Sequence, residues 1–216
     1  MSGLIKICGI SREEHAEAVA ESGADFIGFM FVAESRRRVD PWTARILIER
    51  AKAINPAIRG VGVFLDASIG TIRAVHDDAG FDLVQFHGIA TAEWLDELSM
   101  PAWVTARVDP THSVDDIEAS FIAASVSGHV EAIMLDAYHP AQAGGTGMLA
   151  DWGAATEIAS RHPLILAGGL SPANVANAIA QVRPRGVAVS SSVERDGIKD
   201  PDLIAAFVKN ARAAFG

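Results

Sequence analysis

The sequence contains a single cysteine, Cys8, among its 216 residues. One cysteine excludes an internal disulfide and any metal site built from several thiolates, so the composition fits the reducing environment of the cytoplasm. The seven histidines show none of the spacings that are typical of metal ligands, and we expect no metal site. The fold is therefore expected to depend on its apolar core alone.

Long apolar runs and basic residues are also scarce. No stretch approaches the roughly 18 to 20 apolar residues of a membrane span, and the first residues lack the pattern of a signal peptide. The chain has 18 Lys and Arg against 27 Asp and Glu, a net charge of -9. Because this charge repels nucleic acids and anionic membranes, we expect neither as a partner, although local cations and backbone amides suffice to bind a small anion.

Short apolar runs rich in β-branched residues alternate with stretches of helical spacing, such as 41–54. This alternation is typical of βαβ units, in which helices cover both faces of a parallel sheet. Eight units of about 27 residues predict an α/β protein with one (β/α)8 TIM barrel domain over residues 1–216, and the alternative is an open, doubly wound sheet. The predicted strands comprise residues 4–8, 25–31, 60–64, 82–87, 102–108, 131–136, 163–168 and 186–191.

The first predicted strand carries two polar side chains on one face. Side chains alternate along a strand, so Lys6 and Cys8 share a face opposite Ile5 and Ile7. The isoleucines should meet the helices, which leaves the polar pair inside the barrel, near the strand ends where barrels of this type carry out their chemistry. By the same count, the inward residues of the fourth and sixth strands are Gln85, His87, Met134 and Asp136.

The lysine next to the single thiol suggests a chemical role for it. A nearby ammonium group favours a thiolate, whereas burial among apolar groups favours the neutral thiol. We therefore hypothesise that Cys8, beside Lys6, is an activated base or nucleophile. The alternative interpretation is a small buried apolar residue, which free cysteines usually are.

Small residues follow the seventh and eighth predicted strands. After the seventh strand, two glycines precede Ser171, a predicted N-cap, and a helix predicted over residues 172–182. Backbone amides in the loops after these two strands commonly bind phosphate in such barrels, whereas the alternative interpretation is a tight turn. The residues expected to bind a phosphate are Gly168, Gly169, Ser191 and Ser192.

Two other loops carry residues suited to a substrate. Residues 34–40 hold three arginines, and this cluster is either a solvated loop or the source of one arginine that reaches a substrate carboxylate. Residues 143–152 contain a dinucleotide-like glycine pattern, but about eight residues, including Pro140, separate it from the preceding strand. We therefore interpret this segment as a flexible lid or a substrate-binding loop.

In their order and spacing, these segments resemble the phosphoribosylanthranilate isomerase family of tryptophan biosynthesis over essentially the whole chain. The matching segments are KICGI (6–10), GADFIGFMF (23–31), SRRRV (35–39), GVGVF (60–64), VQFHG (84–88), LDAYHPAQAGGTG (135–147), LAGGLSPANV (166–175) and VSSSVE (189–194). The resemblance implies a barrel enzyme that converts N-(5-phosphoribosyl)anthranilate into 1-(2-carboxyphenylamino)-1-deoxyribulose 5-phosphate. This Amadori rearrangement proceeds by acid-base catalysis and needs no cofactor.

The positions that match the family's motifs imply roles for individual residues of this sequence. It implies that Asp136 is the general acid that opens the ribose ring and that Cys8 is the general base that removes the proton at C2. Arg37 would anchor the anthranilate carboxylate, and the loop amides named above would hold the phosphate. For Lys6, a structural ion pair with an inward carboxylate is the alternative to an active role. The further expected substrate-binding residues are Lys6, Gln85, His87 and Gly145.

Three positions depart from the family pattern. Ala188 stands where an aspartate is usual, Ser192 where a glycine is usual, and Met148 where a basic residue is common. A Cβ at position 192 is compatible with a close phosphate only where φ is negative. The departures leave two alternatives, a barrel that acts on another aminoaldose phosphate and a non-catalytic regulatory binder. The expected partner of an enzyme is a small phosphosugar, whereas a regulatory binder would take phosphosugars or a partner protein. The chain is expected to be a monomer or a homodimer.

Overall fold

The computed structural model describes residues 3–88, 90–107, 113–136 and 152–216. Strands and helices alternate along these ranges, and a short hairpin precedes the last helix. The elements are β1 (Leu4–Cys8), α1 (Glu13–Glu21), β2 (Phe26–Met30), α2 (Pro41–Ile54), β3 (Arg59–Leu65), α3 (Ile69–Ala79), β4 (Leu83–His87), α4 (Ala92–Leu98), β5 (Ala102–Arg107), α5 (Val114–Ser125), β6 (Val130–Asp136), α6 (Trp152–Ala159), β7 (Leu164–Ala167), α7 (Val175–Val182), β8 (Gly186–Val189), β9 (Glu194–Arg195), β10 (Ile198–Lys199) and α8 (Pro201–Phe215).

Strands β1 to β8 form a closed parallel barrel in chain order. Strand β1 pairs with β2 on one side and with β8 on the other, so that Cys8 lies beside Gly28 and Lys6 lies beside Ala188. The predicted (β/α)8 architecture is therefore confirmed. The strands begin and end within about two residues of the predicted positions, as is usual for element boundaries.

Alternation along the strands divides the side chains into an outer and an inner set. Ile5 packs outward against the helices, whereas Lys6 and Cys8 point into the barrel. Near the amino ends of the strands the inner set is apolar, and Trp103 meets the edge of Phe26 with ring centroids 4.7 Å apart. This apolar floor leaves the polar inner side chains at the carboxyl ends.

Helix α2 begins at the predicted residue because its first turn is capped by its own sequence. The Asp40 side chain accepts a hydrogen bond from the backbone amide of Thr43 at 2.9 Å, which satisfies a donor that every helix start leaves unpaired. Hydrogen bonds from the Thr43 side chain and backbone lower the pKa of Asp40 from its usual value. Pro41 follows at the first helical position, where its missing amide costs nothing.

Helix α7 begins at Val175 and not at residue 172, so the expected N-cap role of Ser171 is wrong. The preceding residues form a turn in which the side chain of Asn174 accepts a hydrogen bond from the Ser171 amide at 2.8 Å. The same side chain donates to the carbonyl of Gly169 at 2.9 Å. Asn174 therefore fixes the loop that follows β7, and this competing local bond delays the helix by one turn.

The eighth strand ends at Val189, two residues before its predicted end, and a 3-10 turn covers Ser191–Val193. Strands β9 and β10 then form a small antiparallel hairpin that the strand pattern did not predict. Its turn residues, Asp196 and Gly197, have φ angles of 52° and 80°. Positive φ at both central residues is what a two-residue hairpin turn of the Asp-Gly type requires.

Within the described ranges, no helix is both long enough and apolar enough to cross a lipid bilayer.

Replacing Gly186 with alanine is expected to weaken the closure of the barrel. Gly186 lies between Leu4 of β1 and Ile165 of β7, and a Cβ at this position would lie 2.6 Å from the carbonyl oxygen of Leu4. Because this oxygen belongs to the backbone, the strands must shift to make room. We expect the free energy of unfolding, measured by urea titration, to fall by about 1–3 kcal/mol.

The matched control is Gly70→Ala in helix α3, where the nearest atom to an added Cβ is Ser68 Oγ at 3.9 Å. Alanine is the better helix former, so this variant should be unchanged or more stable by about 0.5 kcal/mol. A Gly186→Ala protein as stable as the control would contradict the packing argument.

Candidate active site

A cavity of ≈ 290 Å³ opens at the carboxyl ends of the barrel strands. Its wall contains most of the residues that the sequence singles out. Arg37 is not part of the wall, and Gly145 lies outside the described residues, as does almost all of the predicted lid at 143–152. The predicted residues in the wall are Lys6, Cys8, Gln85, His87, Asp136, Gly168, Gly169, Ser191 and Ser192.

A buried ammonium group forms the inner end of this cavity. Lys6 is 1% exposed, and its Nζ donates to the side-chain oxygen of Gln85 and to the sulfur of Cys8, the latter at 3.4 Å. Burying an ammonium group is costly unless it is hydrogen-bonded, and these two partners accept from two of its three N–H donors. Lys6 thus contacts an amide and a thiol. The alternative expected from the sequence was a structural ion pair between Lys6 and a carboxylate.

The hydrogen bonds of Lys6 also determine the state of a histidine. An ammonium group only donates, so the oxygen of Gln85 must face Lys6 and its NH2 group must face His87, 2.8 Å from Nε2. Since an amide nitrogen only donates, His87 Nε2 acts as the acceptor. His87 is therefore neutral in this arrangement, with its proton on Nδ1.

Gly28 of β2 makes the space in which Lys6 and Cys8 meet. A Cβ at Gly28 would lie 2.8 Å from Cε of Lys6 and 2.9 Å from Sγ of Cys8. A glycine inside a strand often marks such a close approach, and this was the available signal for a residue that the sequence analysis did not single out. The sulfur also lies 3.9 Å from Sδ of Met30.

The thiol and one carboxyl group line the same opening. Cys8 ends β1 and Asp136 ends β6, with β7 and β8 between them in the barrel. Both side chains are partly exposed and both belong to the cavity wall. A thiol and a carboxyl group are therefore available to one molecule bound in the mouth.

Two loops of small residues form one side of the mouth. Gly168 and Gly169 have φ angles of 83° and 64°, a backbone conformation that side chains disfavour. Ser192 lies in the right-handed 3-10 turn, where φ is negative. Its Cβ is therefore compatible with a phosphate bound close to the backbone. The loops after β7 and β8 thus both reach the cavity.

Thr105 is a wall residue that the sequence analysis missed. It pairs in register with His87 of β4 and points inward, and its hydroxyl is buried without a hydrogen-bond partner among the described residues. Strand alternation on β5 was the signal that could have identified it.

Arg37 lies beside the mouth and is held by a carboxylate. Glu194 of β9 accepts hydrogen bonds from Arg37 Nε at 2.6 Å and from Nη2 at 2.8 Å, and it also pairs with Lys199 at 2.6 Å. The Glu194 side chain is 4% exposed. Burial acts to raise the pKa of Glu194, but the hydrogen bonds and charges of Arg37 and Lys199 outweigh it and hold this pKa below its usual value.

The same cluster shifts the pKa values of its cations. The hydrogen bonds that Arg37 donates to Glu194 raise the pKa of Arg37, which stays charged. Burial lowers the pKa of Lys199, although its hydrogen bond and charge interaction with Glu194 oppose that effect. Nothing in the sequence pattern predicted this cluster.

In the part of the chain that the structure describes, no group of three or more His, Cys, Asp or Glu side chains is arranged to hold a metal ion.

A closed (β/α)8 barrel with a thiol, a carboxyl group and an ammonium group in one cavity at its strand ends defines the molecule as a barrel enzyme. The family model described as N-(5'phosphoribosyl)anthranilate (PRA) isomerase matches residues 5–210. The chain belongs to this family.

Individual relatives agree with the family model. N-(5'-phosphoribosyl)anthranilate isomerase of Acetivibrio thermocellus is 39% identical, with 98% of this chain and 97% of the relative covered. The enzyme of Pseudomonas putida KT2440 is 43% identical, with 97% of each covered. The crystal structure of phosphoribosyl anthranilate isomerase from Thermotoga maritima has a TM-score of 0.82 at 34% identity and covers 98% of this chain and 99% of that one.

A related crystal structure contains a ligand. It is phosphoribosyl anthranilate isomerase in complex with reduced 1-(o-carboxyphenylamino)-1-deoxyribulose 5-phosphate, with a TM-score of 0.79 and 32% identity over 98% of this chain and 99% of that one.

Glu194→Gln is expected to destabilise the protein in a pH-dependent way. The pKa of Glu194 is lower in the folded state than its usual 4.5, so its stabilising effect is present above that value and is lost as the pH falls through the folded-state pKa. At pH 7 we expect urea unfolding to give a loss of about 2–3 kcal/mol relative to wild type. The difference should shrink below about pH 4.5.

The control is Glu131→Gln, which removes the partner of Arg59 in a more exposed ion pair at the other end of the barrel. Its cost should stay below about 1 kcal/mol. The prediction fails if the difference in the free energy of unfolding between wild type and Glu194→Gln stays constant from pH 7 down to the pH of acid unfolding. The stabilisation would then not depend on the charge of Glu194.

Proposed function

We propose that this chain catalyses the Amadori rearrangement of N-(5-phosphoribosyl)anthranilate to 1-(2-carboxyphenylamino)-1-deoxyribulose 5-phosphate. The observation that carries the proposal is the presence of Cys8 and Asp136 in the wall of one cavity, beside loops suited to a phosphate. Membership of the isomerase family supports the same reaction.

The reaction needs one acid and one base. Asp136 gives a proton to the ribose ring oxygen as the bond between this oxygen and C1 breaks, which leaves a protonated Schiff base between C1 and the anthranilate nitrogen. Cys8 then removes the proton from C2, and the electron pair forms the C1–C2 double bond of an enolamine. Tautomerisation moves the proton of the C2 hydroxyl group to C1 and yields the ketone. Atoms and electrons balance within the substrate, so the steps require no redox cofactor.

The remaining wall residues bind the substrate in this proposal. The backbone amides around Gly168, Gly169, Ser191 and Ser192 hold the phosphate, for which loop amides of this kind are well suited. The polar chain of Lys6, Gln85 and His87 orders the sugar hydroxyls. Arg37 binds the anthranilate carboxylate, and Gly145, which lies outside the described residues, is expected to bind the substrate.

One observation favours a second candidate function. Ala188 is 5% exposed and lies beside Lys6 in register, at a position where the family pattern has an aspartate. An alanine there removes a carboxylate that could order the substrate hydroxyls, which favours the same ring-opening chemistry on another aminoaldose phosphate. In either case the partner is a small phosphosugar. The single cysteine fits a cytoplasmic location, and we propose that the enzyme is a monomer or a homodimer.

The decisive assay generates the unstable substrate in situ and follows the loss of its fluorescence. We expect turnover by the wild-type protein, and we expect Cys8→Ser and Asp136→Asn each to lower kcat/KM by at least about 100-fold, because each removes one proton-transfer group. Both variants conserve size, so circular dichroism and urea unfolding should match wild type.

The control is Asp96→Asn on α4, a carboxyl group that is 59% exposed on the outside of the barrel and should leave kcat/KM unchanged. Absence of wild-type turnover, together with turnover of another aminoaldose phosphate, would select the second candidate. Turnover that survives in both variants would remove Cys8 and Asp136 from the mechanism.

A further inference from the structure

Glu194 stands at the centre of an ionic cluster and takes no direct part in the proposed chemistry. Its two carboxylate oxygens pair with Arg37, Lys199 and Arg36, the last at 3.0 Å. The Glu194 and Lys199 side chains are 4% and 2% exposed, whereas Arg36 is 64% exposed. A buried carboxylate shared by two buried or half-buried cations must hold its partners in defined positions, because leaving either one unpaired is costly.

The hairpin explains how Glu194 comes to hold this position. Lys199 lies directly opposite Glu194 in the register of β9 and β10. Its Nζ also donates to the carbonyl of Ser190 at 2.8 Å, and the Ser190 hydroxyl donates to the carbonyl of Cys8 at 3.2 Å. The carboxylate is therefore tied to the ends of β8 and β1, which are part of the mouth itself.

Arg37 is fixed from two sides at this rim. Its side chain crosses Gly9, where a Cβ would lie 2.5 Å from Cδ of the arginine, and Gly9 has a φ of 80° that favours glycine. Gly9 directly follows Cys8, so the Arg37 side chain crosses the backbone one residue after the thiol. The bidentate contact with Glu194 uses Nε and one hydrogen of Nη2. A guanidinium group has five N–H donors in one plane, so three donors are left unused by the described residues and are available to another anion.

We propose that Glu194 is a positioning residue that fixes the Arg37 guanidinium at the rim of the cavity, where its remaining donors recognise a carboxylate on the substrate's aromatic amine. This inference rests on the proposed function, because it assigns the recognition of that carboxylate to Arg37. Holding the long arginine side chain in place before binding removes an ordering cost that the substrate would otherwise meet. Glu194 thus acts through Arg37 and touches no reacting atom.

Two ligands isolate the carboxylate. The first is reduced 1-(o-carboxyphenylamino)-1-deoxyribulose 5-phosphate, and the second is the same molecule without the ring carboxyl group. Calorimetry on the full chain should show that Glu194→Gln weakens binding of the first ligand about ten-fold while binding of the second changes less than about two-fold. In the assay, KM should rise by more than kcat falls.

Three further variants make the result specific. Glu131→Gln breaks the other bidentate pair, with Arg59 at the amino ends of the strands, and should leave both ligands unaffected. Combined with Arg37→Met, Glu194→Gln should add no further selective loss. Glu194→Asp keeps the negative charge next to Lys199, but its shorter side chain does not reach Arg37 as well. This variant should therefore show the same selective loss of the carboxyl-bearing ligand, and it replaces Glu194→Gln if that protein does not fold.

The outcomes separate this inference from the proposed function. Equal losses for both ligands, or no loss for either, would overturn the positioning role even if the wild type turns over the substrate. A selective loss of the carboxyl-bearing ligand in a protein that shows no turnover would support the positioning role and overturn the proposed function.

Discussion

The burial of one positive charge inside the barrel constrains the rest of the site. Lys6 is almost completely shielded from solvent, so its ammonium group requires partners within the protein. Gln85 supplies an oxygen, which turns the amide nitrogen towards His87, and Cys8 supplies its sulfur. The arrangement fits only because position 28 has no side chain. One buried charge thereby determines an amide orientation, a histidine tautomer and the position of the thiol.

Cations gather at the mouth although the chain as a whole is acidic. The sequence carries a net charge of -9, yet Lys6, Arg36, Arg37 and Lys199 gather around one end of the barrel with Glu194 among them. A local set of cations and amides acts over a few ångströms, whereas net charge acts over the Debye length. The protein therefore repels polyanions at a distance while its mouth stays suited to a small anion.

Local patterns in the sequence predicted much of the fold and of the cavity wall. A side-chain period of two placed Lys6, Cys8, Gln85 and Asp136 inside the barrel before any contact was known, because that period depends on the strand alone. The predicted start of α7 was wrong. Whether Ser171 or Asn174 precedes the helix depends on which side chain hydrogen-bonds to the loop after β7. The pairing of Arg37 with Glu194 joins residues 157 positions apart, and no local pattern reports such a contact. The Asp-Gly pair at residues 196–197 is a known hairpin signal, but the strand pattern did not include the short strands on either side of it.

The single thiol of the chain, that of Cys8, has a practical consequence. No other thiol competes for a cysteine-directed reagent, so a small vibrational or fluorine label attached there reports from a single point of the cavity wall. In most enzymes such labelling first requires the removal of other cysteines, with its own cost to stability. Here the native chain already offers a single labelling site. A label on Cys8 would report the polarity of the cavity next to the buried ammonium group of Lys6.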